Sequence, residues 1–283
     1  MTEPAGPFSG TPLTAGEYLE TALSRSHRVR NETRCLVDVP YGSYERQALD
    51  VYLPQESGTA PIPVLVFFHG GYWVLGHKDT LGFMAPPITS APAILVSGGY
   101  RLAPGAKYPD PVDDCRNVLK WTYENIARYG GDPDRIFVGG HSAGGHLASL
   151  VALQRNCLSE FHLPSGVVKG CFPVSGVFDV SDCPSERKEA LLSDLSQARE
   201  ASPLYNAVDN CVPFFLEIGG NDFPNLRYQH LAMPQTLSVE SGKVEAMERL
   251  GHNHFEISLD HGDMNNPWSR KVVEWMKFAW TNV

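Results

Sequence analysis

The chain has 283 residues, 42% hydrophobic and 19% charged, with 23 Lys+Arg against 32 Asp+Glu and a net charge of −9. That balance argues against disorder and fits one large α/β domain with a sizeable core. An acidic chain without a basic stripe is a poor partner for nucleic acid or an anionic membrane surface.

In chain order, residues 1–13 are rich in Pro and Gly and are expected to form an arm. Thr14 and Glu17 make the T-x-x-E pattern of a capping box, which predicts a helix over 15–26 and an N-terminal arm and helix over 1–30. RCLVDVPYG and RQALDVYLP are short alternating strands with a turn at 41–43, an antiparallel start to a sheet. PVLVFFHGG and APAILVSGGY (91–100) are continuous apolar runs ending in glycine, the pattern of parallel strands buried on both faces. A helix is expected over 113–129, a buried strand over 135–140 and an apolar helix in 146–154 that begins at or just after Ser142. VVKGCFPVSGVFD holds another strand and PFFLEIGG (213–220) the next. A helix near 226–240, a strand over 243–250 and an amphipathic helix in PWSRKVVEWMKFAW complete the pattern. Alternating strands and helices predict a single α/β domain with a mostly parallel, doubly wound sheet. Residues 176–211 form a long insertion at the edge where such sheets bind ligands, and are expected to be a lid or a connecting helix.

No apolar run reaches the length of a membrane span, and the N-terminal segment lacks the basic start and apolar core of a signal peptide. The six cysteines are widely spaced without a C-x-x-C, which predicts reduced thiols in a cytoplasmic protein. A homodimer is compatible with the sequence.

Gly140-His-Ser142-Ala-Gly144 fits G-x-S-x-G, between a buried strand and an apolar helix. In that setting small residues let a tight turn lift the serine hydroxyl above the sheet. The Ala143 N–H then stands at a helix start, where negative charge is favoured. A nucleophilic serine needs a base and an orienting carboxylate. Asp222 directly follows a strand, with Asp179 as the alternative. For the base, His254 is favoured over His252 because Phe255 beside it can anchor the loop. His252 and His254 also form H-x-H, a two-ligand start to a zinc site. No third His or Cys stands out, although Asp222 could serve, and neither metal nor cofactor is expected. His69-Gly70-Gly71-Tyr72-Trp73 ends a strand, so the Gly71 and Tyr72 amides join Ala143 as expected oxyanion donors. Tyr72, Trp73 and His141 are expected to contact substrate, with core packing the alternative for Trp73. His69 is expected to brace its loop and His146 to point along its helix.

From about Arg34 onward the chain resembles the α/β-hydrolase superfamily, with features of two branches. H-G-G-Y-W at 69–73, K-D-T at 78–80, G-H-S-A-G at 140–144, G-x-x-D at 219–222 and H-F at 254–255 are similar to kynurenine formamidases. Y-R-L-A-P at 100–104, P-D-P-V-D-D at 109–114 and G-G-D-P-D-R-I at 130–136 are similar to hormone-sensitive-lipase-type carboxylesterases. Those esterases usually carry a third glycine where this chain has Tyr72, and an acidic residue where it has His141. Both branches imply the triad Ser142, Asp222 and His254. The expected activity is cofactor-independent cleavage of a small, neutral, partly aromatic ester or aryl formamide. The oxyanion loop weights the reading toward formamides. The alternatives are a short-chain carboxylesterase, a perhydrolase or acyltransferase using the same triad, and a ligand receptor on the hydrolase fold.

Overall fold

The computed structural model describes residues 12–56, 58, 60–237 and 244–277. Most of the expected N-terminal arm, the ends of the expected helices at 226–240 and 267–280, and residue 243 lie outside them.

The capping box forms as expected, with Thr14 and Glu17 bonding each other's main-chain amides, and opens α1 (Ala15–Glu32). The helix runs six residues beyond its expected end. It is followed by β1 (Cys35–Pro40), β2 (Ala48–Tyr52) and β3 (Ile62–Phe68). A 3-10 turn at Lys78–Met84 and the short α2 (Ala85–Thr89) lead to β4 (Ile94–Gly98). The next elements are α3 (Asp110–Asn125), β5 (Gly131–His141), α4 (Ala143–Leu153) and β6 (Val168–Val174). Then follow α5 (Ser185–Leu191), β7 (Phe214–Gly219), α6 (Pro224–Thr236), β8 (Val244–Arg249), α7 (Glu256–Asp260) and α8 (Pro267–Lys277).

Eight strands make one sheet in the order β1-β2-β4-β3-β5-β6-β7-β8. β2 is antiparallel to β1 and to β4; the other pairs are parallel. The apolar strand runs are buried on both faces because alternate side chains feed different cores. Val64, Val66 and Phe68 of β3 pack with Val112, Val118, Leu147 and Val151 of α3 and α4. Leu65 and Phe67 pack with Ala22 of α1 and Trp268, Val272 and Trp275 of α8.

Lys78 and Asp79 of the K-D-T segment belong to an ion cluster centred on the buried Lys78 and Asp50 and open to solvent at Asp38. Lys78 Nζ lies 2.5 Å from Asp38, 2.7 Å from Asp50 and 2.9 Å from Asp79. Arg30 of α1 bonds Asp50 and Asp79 from the other side. Two cations thus tie α1 to β2 and to the 3-10 turn.

Candidate active site

β5 delivers Ser142 to the sheet's C-terminal edge, and α4 starts immediately after it. Ser142 has φ 55° and ψ −119°, a strained backbone for a residue with a side chain. Its N–H donates to Val174 O at 2.8 Å, and its carbonyl accepts from the His146 N–H at 3.0 Å. The flanking glycines are a steric requirement. A Cβ on Gly140 would strike the Gly144 backbone, and one on Gly144 would strike the Phe68 carbonyl. The helix starts at Ala143, directly after the serine as expected, and includes Gly144 and Gly145.

Asp222 follows β7 and His254 follows β8. His254 Nδ1 lies 2.9 Å from Asp222 Oδ1, with both residues buried. The other oxygen, Oδ2, accepts from Ser175 Oγ at 2.5 Å, and Oδ1 also accepts from the Phe223 N–H at 2.7 Å. Burial pushes the Asp222 carboxyl up, but His254, Ser175 and Phe223 together hold it below its ordinary value. Ser175 was not singled out from sequence. Its signal is a lone serine after β6, although its φ of 47° marks it in the structure.

The two alternatives face elsewhere. Asp179 Oδ1 caps the 3-10 turn at Val180–Asp182 through Ser181, and its Oδ2 accepts from Tyr205 Oη at 3.1 Å. His252 Nε2 lies 3.6 Å from Asp260. The two histidines of H-x-H therefore face different carboxylates. The His254 loop is braced by Asn253, whose Oδ1 accepts from the Phe255 and Glu256 amides at 2.9 Å and whose Nδ2 donates to Leu13 O. Phe255 packs against Tyr18, Phe223 and the His254 ring.

The segment after β3 turns sharply, with φ 121° at Gly71, 50° at Tyr72 and 63° at Trp73. Among the described residues, the amides of Gly71, Tyr72 and Ala143 have no hydrogen-bond acceptor. Trp73 is a correction to the expected substrate-contacting set. The turn drives its ring fully into the core, where Nε1 donates to His146 Nδ1 at 3.0 Å. His146 Nε2 in turn lies 2.6 Å from Ala201 O, so the imidazole carries its proton there and bridges two loops. Burial pushes His146 down to about 4. His69 stacks on Tyr100 at 4.2 Å and braces its loop through Gly70 O.

Ser142, His254, Gly70, Gly71, Tyr72 and His141 line one cavity of about 230 Å³. Tyr72 and His141 thus both line the cavity beside Ser142. His141 Nε2 also lies 2.8 Å from His254 O and supports the base's main chain. Burial, with the neighbouring His254, pushes His141 down to about 3. Ala15, Tyr18 and Leu19 of α1 and Arg187 of α5 close the cavity, and none was singled out from sequence.

The BD-FAE family model matches residues 49–229. Kynurenine formamidase of Danio rerio is 31% identical over 247 residues, covering 85% of this chain and 81% of that protein. Carboxylesterase NlhH of Mycobacterium tuberculosis is 48% identical over 148 residues, covering 50% of this chain and 46% of that protein. The solved hyperthermophilic esterase of Pyrobaculum calidifontis matches with a TM-score of 0.74 at 20% identity, covering 93% of this chain and 91% of that one. The last likeness shows the fold, an α/β-hydrolase fold with the sheet and helices described above. With the family match spanning more than half of its residues, the chain belongs to the BD-FAE family of α/β hydrolases.

Proposed function

We propose that this chain is a serine hydrolase of small ester or aryl-formamide bonds. The observation that carries this reading is the buried His254–Asp222 pair, at 2.9 Å, in one cavity with the strained Ser142. His254 takes the proton from Ser142 Oγ as the oxygen attacks the carbonyl carbon. The resulting oxyanion meets the free amides of Gly71, Tyr72 and Ala143. Collapse breaks the bond to the alcohol or arylamine, which leaves with the proton held on His254. Water, deprotonated by the same imidazole, then attacks the acyl carbon and releases Ser142. Asp222 fixes the tautomer and stabilises the imidazolium in both halves. No step calls for a cofactor.

The cavity is smaller than the about 300–1,000 Å³ typical of drug-sized ligands, which supports a small substrate. Its Tyr18, Tyr72, Phe223 and Phe255 walls favour an aromatic one. The H-G-G-Y-W loop and a kynurenine formamidase relative aligned over most of both chains support the formamide reading. The second reading, a short-chain carboxylesterase, is supported by the higher identity to NlhH over half of the chain. Residues 176–211 are read as a cover, because Arg187 within them lines the cavity. A cytoplasmic setting belongs to the same reading, supported by six free, widely spaced cysteines.

The test is fluorophosphonate labelling together with rates on N-formylkynurenine and short p-nitrophenyl esters. Labelling is expected at Ser142, with Ser142→Ala losing label and turnover by on the order of 10⁴-fold or more. Full activity in that variant sinks the mechanism. Absence of label and turnover in the unaltered protein favours a ligand receptor. Rapid ester cleavage with the formamide untouched selects the second reading.

A further inference from the structure

The residues lining the cavity around Ser142 are mostly apolar, aromatic or small, and Arg187 is the one arginine or lysine among those described. It stands on α5, half-buried, with its guanidinium 5.6 Å from the centre of the Tyr72 ring. Other arginines with restricted exposure have partners: Arg30 has Asp50, Arg101 has Asp114, Arg116 has Asp113 and Arg249 has Asp260, while Arg25, Arg46, Arg135 and Arg155 donate to main-chain carbonyls. Arg187 has neither an ion pair nor a side-chain hydrogen bond among the described residues. The carboxylate nearest in the chain, Glu186, is exposed, and Asp222 is committed to His254, Ser175 and Phe223.

A guanidinium presents five N–H donors in a planar fork matched to a carboxylate. Tyr72 holds this fork by its face, which leaves the edge donors unused. The cavity wall offers no anion of its own to meet them. We propose that Arg187 is a specificity-determining residue that selects substrates carrying a carboxylate away from the scissile bond. The inference rests on the serine-hydrolase reading of Ser142 and replaces the neutral substrate expected from sequence with an anionic aromatic one. Arg187 acts on binding and orientation; the bond-breaking steps stay with Ser142, His254 and Asp222.

The test compares matched substrates differing in one charge. Para-acetoxybenzoate against its methyl ester places the carboxylate on the leaving group. The p-nitrophenyl monoester of adipate against its methyl diester places it on the acyl group. The readout is the ratio of kcat/KM for the anionic over the neutral member, with fluorophosphonate labelling of Ser142 measured on every variant. In at least one pair the ratio is expected to fall about tenfold in Arg187→Gln, to fall further in Arg187→Glu and to be largely kept in Arg187→Lys. A merely structural role lowers both members alike and leaves the ratio fixed. Normal labelling with unchanged ratios in both pairs overturns the proposal alone. Failure of the unaltered protein to label or turn over overturns the hydrolase reading and this proposal together.

Discussion

Asp222 has both carboxylate oxygens engaged, one by His254 and Phe223 and the other by Ser175. Each bond favours the ionised form, which is the form that supports an imidazolium. Ser175→Ala removes the donor on Oδ2 and leaves the His254 bond in place. We expect kcat/KM to fall about tenfold, against on the order of 10⁴-fold for Asp222→Asn. Steady-state rates with a p-nitrophenyl ester check both, and equal losses would remove Ser175 from this role. Asp222 and His254 were legible in the sequence because each follows a strand at the ligand-binding edge. Ser175 was not, because nothing near it announces a strained turn. Trp73 was misplaced for a related reason. Three successive positive φ angles, at Gly71, Tyr72 and Trp73, decide where that ring points, and residue type does not reveal them.

The elements that build the site are locked to one another by a few contacts. The elbow was legible because its demand is local: two glycines are needed where β5, α4 and the end of β3 crowd together. Gly144→Ala is expected to abolish soluble expression, since both neighbours of the added Cβ are main chain. A soluble, labelled variant would contradict that steric account. The link from Trp73 through His146 to Ala201 joins the oxyanion loop, the elbow helix and the insertion. Trp73→Phe leaves His146 Nδ1 buried without a donor, at a cost of about 1–3 kcal/mol. A chemical-denaturation curve reads that loss, and an unchanged midpoint refutes it. α1 was found from its capping box but its place over the site was not. Its contacts, such as Tyr18 Oη to Ser258 Oγ at 3.0 Å, span the length of the chain. Local patterns carry no sign of such contacts.

For the molecule as a whole, buried imidazoles set the acid limit. Burial pushes His69 and His141 down to about 3 and His146 and His230 down to about 4, from 6.5. Well above pH 6.5 these residues are neutral in both states. As pH falls from 6.5 toward 4 the unfolded chain takes up protons that the folded chain refuses, so stability falls with pH. Each imidazole contributes up to about 1.4 kcal/mol per pH unit. The urea midpoint is expected to drop steeply between about pH 7 and about pH 5, and a flat profile would refute it. The ion cluster predicts a separate weakness. Lys78→Met leaves the buried Asp50 with Arg30 and the Asp38 N–H, and a loss of about 3–5 kcal/mol is expected in the same assay. The doubly wound order of elements was readable from alternating strand and helix patterns. The ion cluster was not, because its members come from four separated segments.

The insertion between β6 and β7 is gripped largely by its main chain. Lys107 Nζ donates to the carbonyls of Glu189 and Leu192, the Tyr108 N–H to that of Leu191, and His146 to that of Ala201. Carbonyl oxygens are the same whatever side chain they accompany. Evolution can therefore rewrite the residues facing the cavity, Arg187 first among them, while the path of the segment and the triad beneath it stay fixed. On this scaffold a change of diet would require new side chains on an old backbone.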